Sequence, residues 1–288
     1  MRKVTDRHTA TPAGSDAYVL GEGPLWDRDR NRLLWVDIMG GEVLAGRLDT
    51  ATGTIAVTGT WSFGDDLACA VAVAESGDLL VATRDRLVAV RGDGEREVLA
   101  TAKIDNGRFN DGGVDPQGRY LIGSMALDDR QGTQQLLRLE PAGGWTVLDD
   151  DLTLSNGLAW VGDRLYSIDS VPGVVHVRDY PGGERREVMR LDETPDGMCA
   201  DADGNLWIAI HDGGRIECRS PGGDLLAVVD VPVPQPTSCA FAGPDLDVLV
   251  ITTATEGLSP DDLARHPDAG HLFTARVGVR GAPTPYWQ

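Results

Sequence analysis

The chain has 288 residues, of which 41% are hydrophobic, and a formal net charge of -19; it has ample material for a core but no clustered Lys and Arg to hold a nucleic-acid backbone. No apolar run approaches the roughly 18 residues of a membrane helix, and the first residues contain no hydrophobic segment suited to secretion. A soluble cytoplasmic protein with neither nucleic acid nor membrane as a partner is expected, present as a monomer or weak homo-oligomer.

From the N-terminus, one unit recurs: a turn, an apolar strand, a short loop and a second strand. It appears in RNRLLWVDIMGGEVLAGRLD, SGDLLVATRDRLVAVRGDG, QGRYLIGSM with QQLLRLEP, GDRLYSIDSVPGVVHVRDY, DGNLWIAIHDGGRIECRSP, and DLDVLVITT with GHLFTARV. Strand starts near Leu33, Leu79, Tyr120, Leu165, Leu206 and Val248 give a period of about 41–45 residues, that of four-stranded propeller blades. Gly 36 and Pro 16 suit many short strands joined by tight turns. The spacing predicts an all-β fold, a six-bladed β-propeller with four-stranded blades around a central channel, as a single domain over residues 1–288. One helix is predicted, Ser259–His266, with Ser259 as cap and Pro260 at its first position, inserted in the last blade.

Blade repetition brings equivalent positions together. Reading back about ten residues from each strand start gives Glu22, Cys69, Asn110, Asn156, Asp196 and Ser238, which should converge at one mouth of the channel. Four of the six carry oxygen ligands. Carboxylates and carboxamides aimed at one axis need compensation, and a divalent cation supplies it most simply. An all-oxygen set suits a hard ion, with Ca2+ favoured and Mg2+, Mn2+, Zn2+ or Fe2+ as alternatives. The competing account is that Asn or Asp before Gly merely makes a turn.

Other groupings carry less. Cys69, Cys199, Cys218 and Cys239 are far apart in sequence, with no C-x-x-C, so neither a zinc knot nor a redox pair is indicated. His8, His176, His211, His266 and His271 form no H-x-x-x-H pair, and G-x-S-x-G is absent. His211 alone is placed to face the mouth, as a loop residue. Trp26, Trp35, Trp160 and Trp207 are assigned to packing between blades, and Asp149-Asp150-Asp151 to a solvated turn.

The segments GEGPLW with LLWVDI, RFNDGGVDPQGRYLIGSM, LSNGLAW with YSIDS, PDGMCADADGNLWIA with GGRI, and PTSCAF followed by TTATEGLSPDDLARHPDAGHLF span nearly the whole chain. In them the chain resembles the senescence-marker-protein/gluconolactonase family, the regucalcin-like sugar lactonases, which includes luciferin-regenerating enzyme. The resemblance implies one divalent metal held by Glu22, Asn156 and Asp196, substrate contacts from Arg108 and Asn110, and an acidic substrate contact at Asp128. It also places a basic residue where Gly113 stands here, so the pocket entrance should differ in charge and width. The implied activity is metal-dependent opening of a sugar lactone, the small-molecule partner, to the sugar acid. The metal would polarise the carbonyl towards a water whose proton Asp196 takes as catalytic base. Phosphotriester or specialised-metabolite lactone hydrolysis, or calcium or ligand binding without turnover, are the alternatives. Loops at Gly64–Asp66, Ala126–Thr133 and Val171–Gly173 should shape the pocket.

Overall fold

In the computed structural model, which describes residues 6–64, 66–128 and 130–288, six antiparallel sheets stand in a ring. Asp65 and Asp129, within two of the predicted pocket loops, lie outside the described residues. Blades one to five each take four consecutive strands, from Gly21–Asp27 onwards in blade one to Leu225–Asp230 at the end of blade five. Blade six takes Pro236–Ala242, Val248–Thr253 and Phe273–Ala275 from the end of the chain and its outermost strand, Thr11–Pro12, from the beginning. The ring is thus closed by pairing the two ends of the chain, which leaves no open sheet between them. Asp6–Thr9 adds a parallel fifth strand to blade five.

The predicted strand starts coincide with real strands, but these are the second strand of each blade. Arg32–Asp37 and Leu79–Ala82, for instance, are sandwiched between neighbouring blades and buried on both faces. That is why they read as continuous apolar runs, the clearest signal in the sequence. The innermost strands lie about ten residues upstream, so the residues picked out by counting back sit on the channel-lining strands or immediately before them.

The turns between first and second strands have a common construction. Asp115 accepts from the backbone of Gln117 and Arg119 at 2.9 and 2.8 Å, and Asp201 from Asp203 and Asn205 at 3.0 and 2.8 Å. Gly118 and Gly204 take the left-handed conformation that each turn needs, at φ 81° and 84°. The helix forms as predicted, over Pro260–Arg265, with Ser259 and Asp262 making a reciprocal capping box. No helix among the described residues is long and apolar enough to cross a membrane.

The acidic run departs from expectation. Asp149, Asp150 and Asp151 belong to the outermost strand of blade three, Trp145–Leu152. Alternation along that strand turns Asp149 inward, where it is buried and paired with Arg178 of blade four and with Arg185. The tryptophans behave as assigned in the main: Trp35 and Trp207 are fully buried in the packing, whereas Trp160 also lines the channel.

Candidate active site in the channel mouth

Each site residue is aimed by a local irregularity. The pairing of first and second strands shifts register between Glu22 and Leu25, Phe109 and Gly112, Asn156 and Leu158, Pro195 and Met198, and Pro236 and Ser238. A bulge lets two neighbouring residues escape strict alternation and re-aims a side chain. Blade two is the exception. Its inner strand Ala70–Val73 pairs without a shift and carries only apolar side chains.

Four bulges place an oxygen-bearing residue before a glycine: Glu22-Gly23, Asp111-Gly112, Asn156-Gly157 and Asp196-Gly197. The glycine N–H donates to the preceding side chain, at 2.8 Å for Glu22, 2.7 Å for Asp111 and 3.3 Å for Asn156, and likewise for Asp196. One oxygen is tied down and the rest of the group is left to the channel. Gly157 is required for another reason, since a Cβ there would meet Asp196 O at 2.7 Å and Met198 Cβ at 2.8 Å. Inner strands of adjacent blades can approach this closely only over a bare backbone.

The mouth is buried and strongly acidic. Glu22, Asn156 and Asp196 are 8, 4 and 8% exposed. Burial, then the charges of Asp196 and Asp111, hold the Glu22 carboxyl well above the usual range. Burial pushes Asp111 up to about 7, with Asp196 adding to it. Asp196 is pushed up to about 6 by burial, against the opposing influence of His211, a hydrogen bond from Asn156, and Arg108. All three shifts have the sign that burial imposes on a carboxyl, and facing carboxylates add to it at Glu22 and Asp111.

This donor chemistry fits a hard divalent cation, because two carboxylates and a carboxamide, with a third carboxylate behind them, lack only the charge a cation brings. Among the described residues no three His, Cys, Asp or Glu side chains close into a metal cage. The set that converges instead pairs carboxylates with the amide of Asn156, whose Nδ2 donates to Ser170 Oγ at 3.1 Å.

Arg108 and Asn110 are also buried in the mouth, but bonded to each other. Arg108 Nη1 donates to Asn110 Oδ1 at 2.7 Å and to Phe109 O at 2.9 Å, and Asn110 Nδ2 donates to Ser155 O at 3.0 Å. Asn110 thus ties blade three to blade four. Asp128 lies outside the buried set, on the rim, held by Arg130 at 2.6 Å and by Asn106 Nδ2 at 2.8 Å; these bonds hold its carboxyl well below the usual range. Ser238 and Cys69, the remaining equivalents, are buried, and burial raises the Cys69 thiol to about 11.

Counting back ten residues selected Asn110 for blade three and passed over its neighbour Asp111. The signal that finds Asp111 is the acid-or-amide-plus-Gly dipeptide repeated in four blades, which aligns Asp111 with Glu22, Asn156 and Asp196.

Beyond the bulges the same strands line a cavity of about 160 Å3 in the lower channel, walled by Ala70, Ala72, Trp160, Cys199 and Phe241 and covered by Ala282–Pro285. Gly113 belongs to this lower end, where a Cβ would meet Trp160 at 3.1 Å, so its difference from a basic residue acts below the site and not at the entrance. Cys199 and Cys239, which the sequence left apart, face each other here with Sγ atoms 3.7 Å apart.

The family described as SMP-30/Gluconolactonase/LRE-like region matches residues 20–255. Regucalcin of Gallus gallus is 38% identical over 296 residues, covering 95% of this chain and 96% of its own. Among solved structures, the luciferin-regenerating enzyme superposes with a TM-score of 0.84 at 27% identity, covering 94% of this chain and 96% of that one. A calcium-binding protein, regucalcin, from Agrobacterium tumefaciens gives a TM-score of 0.89 at 24% identity over 98% of both chains, a likeness of fold. With its propeller and its match across all six blades, the chain belongs to the SMP-30/gluconolactonase/LRE-like family.

Proposed function

We propose that the channel mouth hydrolyses a sugar lactone to the sugar acid. The observation that carries this reading is the convergence, in one buried mouth, of Glu22, Asn156 and Asp196 with Asp111 behind them and the Arg108–Asn110 pair beside them. A pure binding site needs no such combination of a raised carboxyl and a guanidinium on opposite sides of a pocket.

Glu22, Asn156 and Asp196 would hold one divalent cation, with Ca2+ the first candidate because a relative of this fold is described as calcium-binding. A cation bound there supplies Lewis-acid polarisation of the lactone carbonyl and stabilises the developing oxyanion. Asp196 is the proton carrier. Its carboxylate takes a proton from the attacking water and returns it to the departing ring oxygen. Arg108 donates to ring or side-chain hydroxyls through the N–H groups not engaged by Asn110, and Asn110 fixes the guanidinium plane. Asp128 reaches a substrate only by leaving Arg130, which makes it an outer contact.

The test is acid release at constant pH from a panel of γ- and δ-lactones, using metal-stripped protein with Ca2+, Mg2+, Mn2+ or Zn2+ restored singly. Opening of at least one sugar lactone with a restored cation, abolished in Asp196→Ala, is the expected result. Saturable cation binding with no lactone opened under any condition sinks the reading and leaves a binding protein.

A further inference from the structure

Beneath the bulges the bore is kept open by small residues. Ala70 and Ala72 of blade two, Ala200 of blade five and Ala240 of blade six line the cavity of about 160 Å3, and Ala200 and Ala240 are only partly buried. The roof is made by the bulges themselves: Gly23 and Gly112, whose N–H groups hold Glu22 and Asp111, both line the cavity. The floor is Ala282–Pro285, in a segment that crosses the base of the channel. Ala282 N donates to Ala200 O of blade five at 3.1 Å, and Trp287 N to Val73 O of blade two at 2.9 Å. A volume of this size takes about five waters at about 30 Å3 each. Each inner strand pairs with one neighbour only, so its other edge offers backbone N–H and C=O groups to such waters.

Of the three carboxylates of the mouth, Asp111 alone lines this cavity. It is half-buried, whereas Glu22 and Asp196 are each 8% exposed. Its Oδ1 accepts from Gly112 N at 2.7 Å, and no other donor meets the carboxylate among the described residues. The charge of Asp111 acts on Glu22, and that of Asp196 acts on Asp111. Asp111 therefore stands between the cavity and the mouth, with Oδ2 uncommitted.

We propose that the lower cavity is the water chamber of the hydrolase: the attacking water comes to the mouth from beneath, positioned by Asp111 Oδ2, while the lactone fills the mouth above. The inference rests on the lactonase reading and deepens it. A lactone seated in a buried mouth shuts out water from its own side, so the one water that each turnover consumes must already be inside. Its oxygen bonds to the carbonyl carbon, the bond from that carbon to the ring oxygen breaks, and Asp196 carries the proton to the ring oxygen. Asp111 takes no proton; it accepts a hydrogen bond from the water and fixes its approach. The floor at Ala282–Pro285 bars larger molecules from the chamber, which refills when product leaves the mouth.

The experiment measures kcat and KM on a sugar lactone in wild type, Ala240→Leu, Ala200→Leu, Ala240→Ser, Asp111→Leu and Asp111→Asn. Each leucine at an alanine fills part of the chamber and should lower kcat about tenfold, with KM changed by less than about twofold because the mouth keeps its side chains. Ala240→Ser, which leaves room for water, should keep most of kcat. Asp111→Leu removes the acceptor and should lower kcat about thirtyfold, whereas Asp111→Asn keeps one and should lose only about threefold. Ala200 and Ala240 stand on different blades, so either carries the test should the other variant fail to fold. Filled variants that turn over like wild type, or whose KM rises as much as kcat falls, overturn the chamber and leave the lactonase reading standing. Equal losses in Asp111→Leu and Asp111→Asn do the same. Wild type that opens no lactone overturns both.

Discussion

The two ends of the central channel are built from the same six strands and differ in the side chains those strands carry. At the mouth, Glu22, Asn156 and Asp196 crowd buried polar groups together, with the half-buried Asp111 beside them. A few residues further along, Ala70, Ala72, Trp160, Cys199 and Phe241 wall a cavity whose lining also includes Asp111 and Ser238. What separates the ends is the bulge in the inner strand: polar groups enter the channel where the register shifts, and blade two, which has no shift, contributes none. The mouth therefore holds charge that folding disfavours, whereas the base holds packing that folding favours, so the two should answer differently to mutation.

The largest contrast is in turnover. Asp196→Asn keeps the shape of the mouth but removes the proton acceptor, and kcat should fall roughly 10^3-fold. Met198→Leu, in the base two residues along the same strand, conserves volume and should change kcat by less than about threefold, with stability altered by less than about 1.5 kcal/mol. Steady-state kinetics on any lactone the protein opens decides this; equal losses in both variants would erase the distinction between the ends.

A backbone change at the boundary should damage both. A Cβ at Gly157 runs into Asp196 O and Met198 Cβ, and neither the carbonyl nor the strand behind it can yield cheaply. Gly157→Ala should cost about 2–3 kcal/mol in urea unfolding, and should weaken activity by moving Asp196. Gly143→Ala, in an open surface turn with nothing near its Cβ but a left-handed φ of 80°, should cost only about 1 kcal/mol.

Acidity offers a third way to separate the ends. The folded pKa values of Glu22, Asp111 and Asp196 lie above those of unfolded carboxyls, so in metal-free protein their contribution is most favourable below about pH 4. It is lost as pH rises through about 6 and 7, the values for Asp196 and Asp111, with the raised Glu22 carboxyl adding a loss of the same sign. Between pH 5 and 8 the mouth should lower the Tm of metal-free protein by about 5 °C relative to Asp111→Asn. Added Ca2+ should restore Tm at pH 8 far more than at pH 5, where protons compete for the same oxygens. Thermal melts at both pH values, with and without the cation, check it; a cation effect that is equal at the two pH values would detach the binding from these carboxyls.

These contrasts also show what the chain made legible. The ring of blades could be read because each second strand, such as LLWV in Leu33–Val36, is buried on both faces and appears as an unbroken apolar run. Glu22, Asn156 and Asp196 followed from position within the repeat. Asp111 was passed over because the distance back from the second strand differs between blades. It is eleven residues from Leu33 to Glu22, ten from Leu206 to Asp196, and nine from Leu165 to Asn156 and from Tyr120 to Asp111, so a fixed count of about ten lands on Asn110. The encounter of Cys199 with Cys239 and the hydrogen bond from Gln235 to Asp212 join residues on different blades, and local sequence carries no sign of such pairs. Asp149 was misread because an acidic triplet looks solvated until its partner, Arg178, appears 29 residues on in the next blade.

Within the mouth, the substrate contacts should be weaker determinants than the proton acceptor and should differ from each other. Arg108→Lys keeps the charge but loses the planar guanidinium whose Nη1 donates to Asn110 Oδ1 and Phe109 O, and KM should rise about tenfold with kcat changed less. Asp128→Asn should give the smallest effect, about twofold to threefold on KM. Its carboxylate already bonds Arg130 and Asn106 on an exposed rim, where an ion pair contributes little, and a substrate gains only the difference between its own hydrogen bonds and those it displaces. Arg130→Ala sharpens the point: with its guanidinium competitor gone, Asp128 becomes free to meet a hydroxyl, so KM should fall slightly in that variant and return to the Asp128→Asn value in the double mutant. Unchanged KM in all three would remove Asp128 from the substrate's reach and confine binding to the buried set around Arg108.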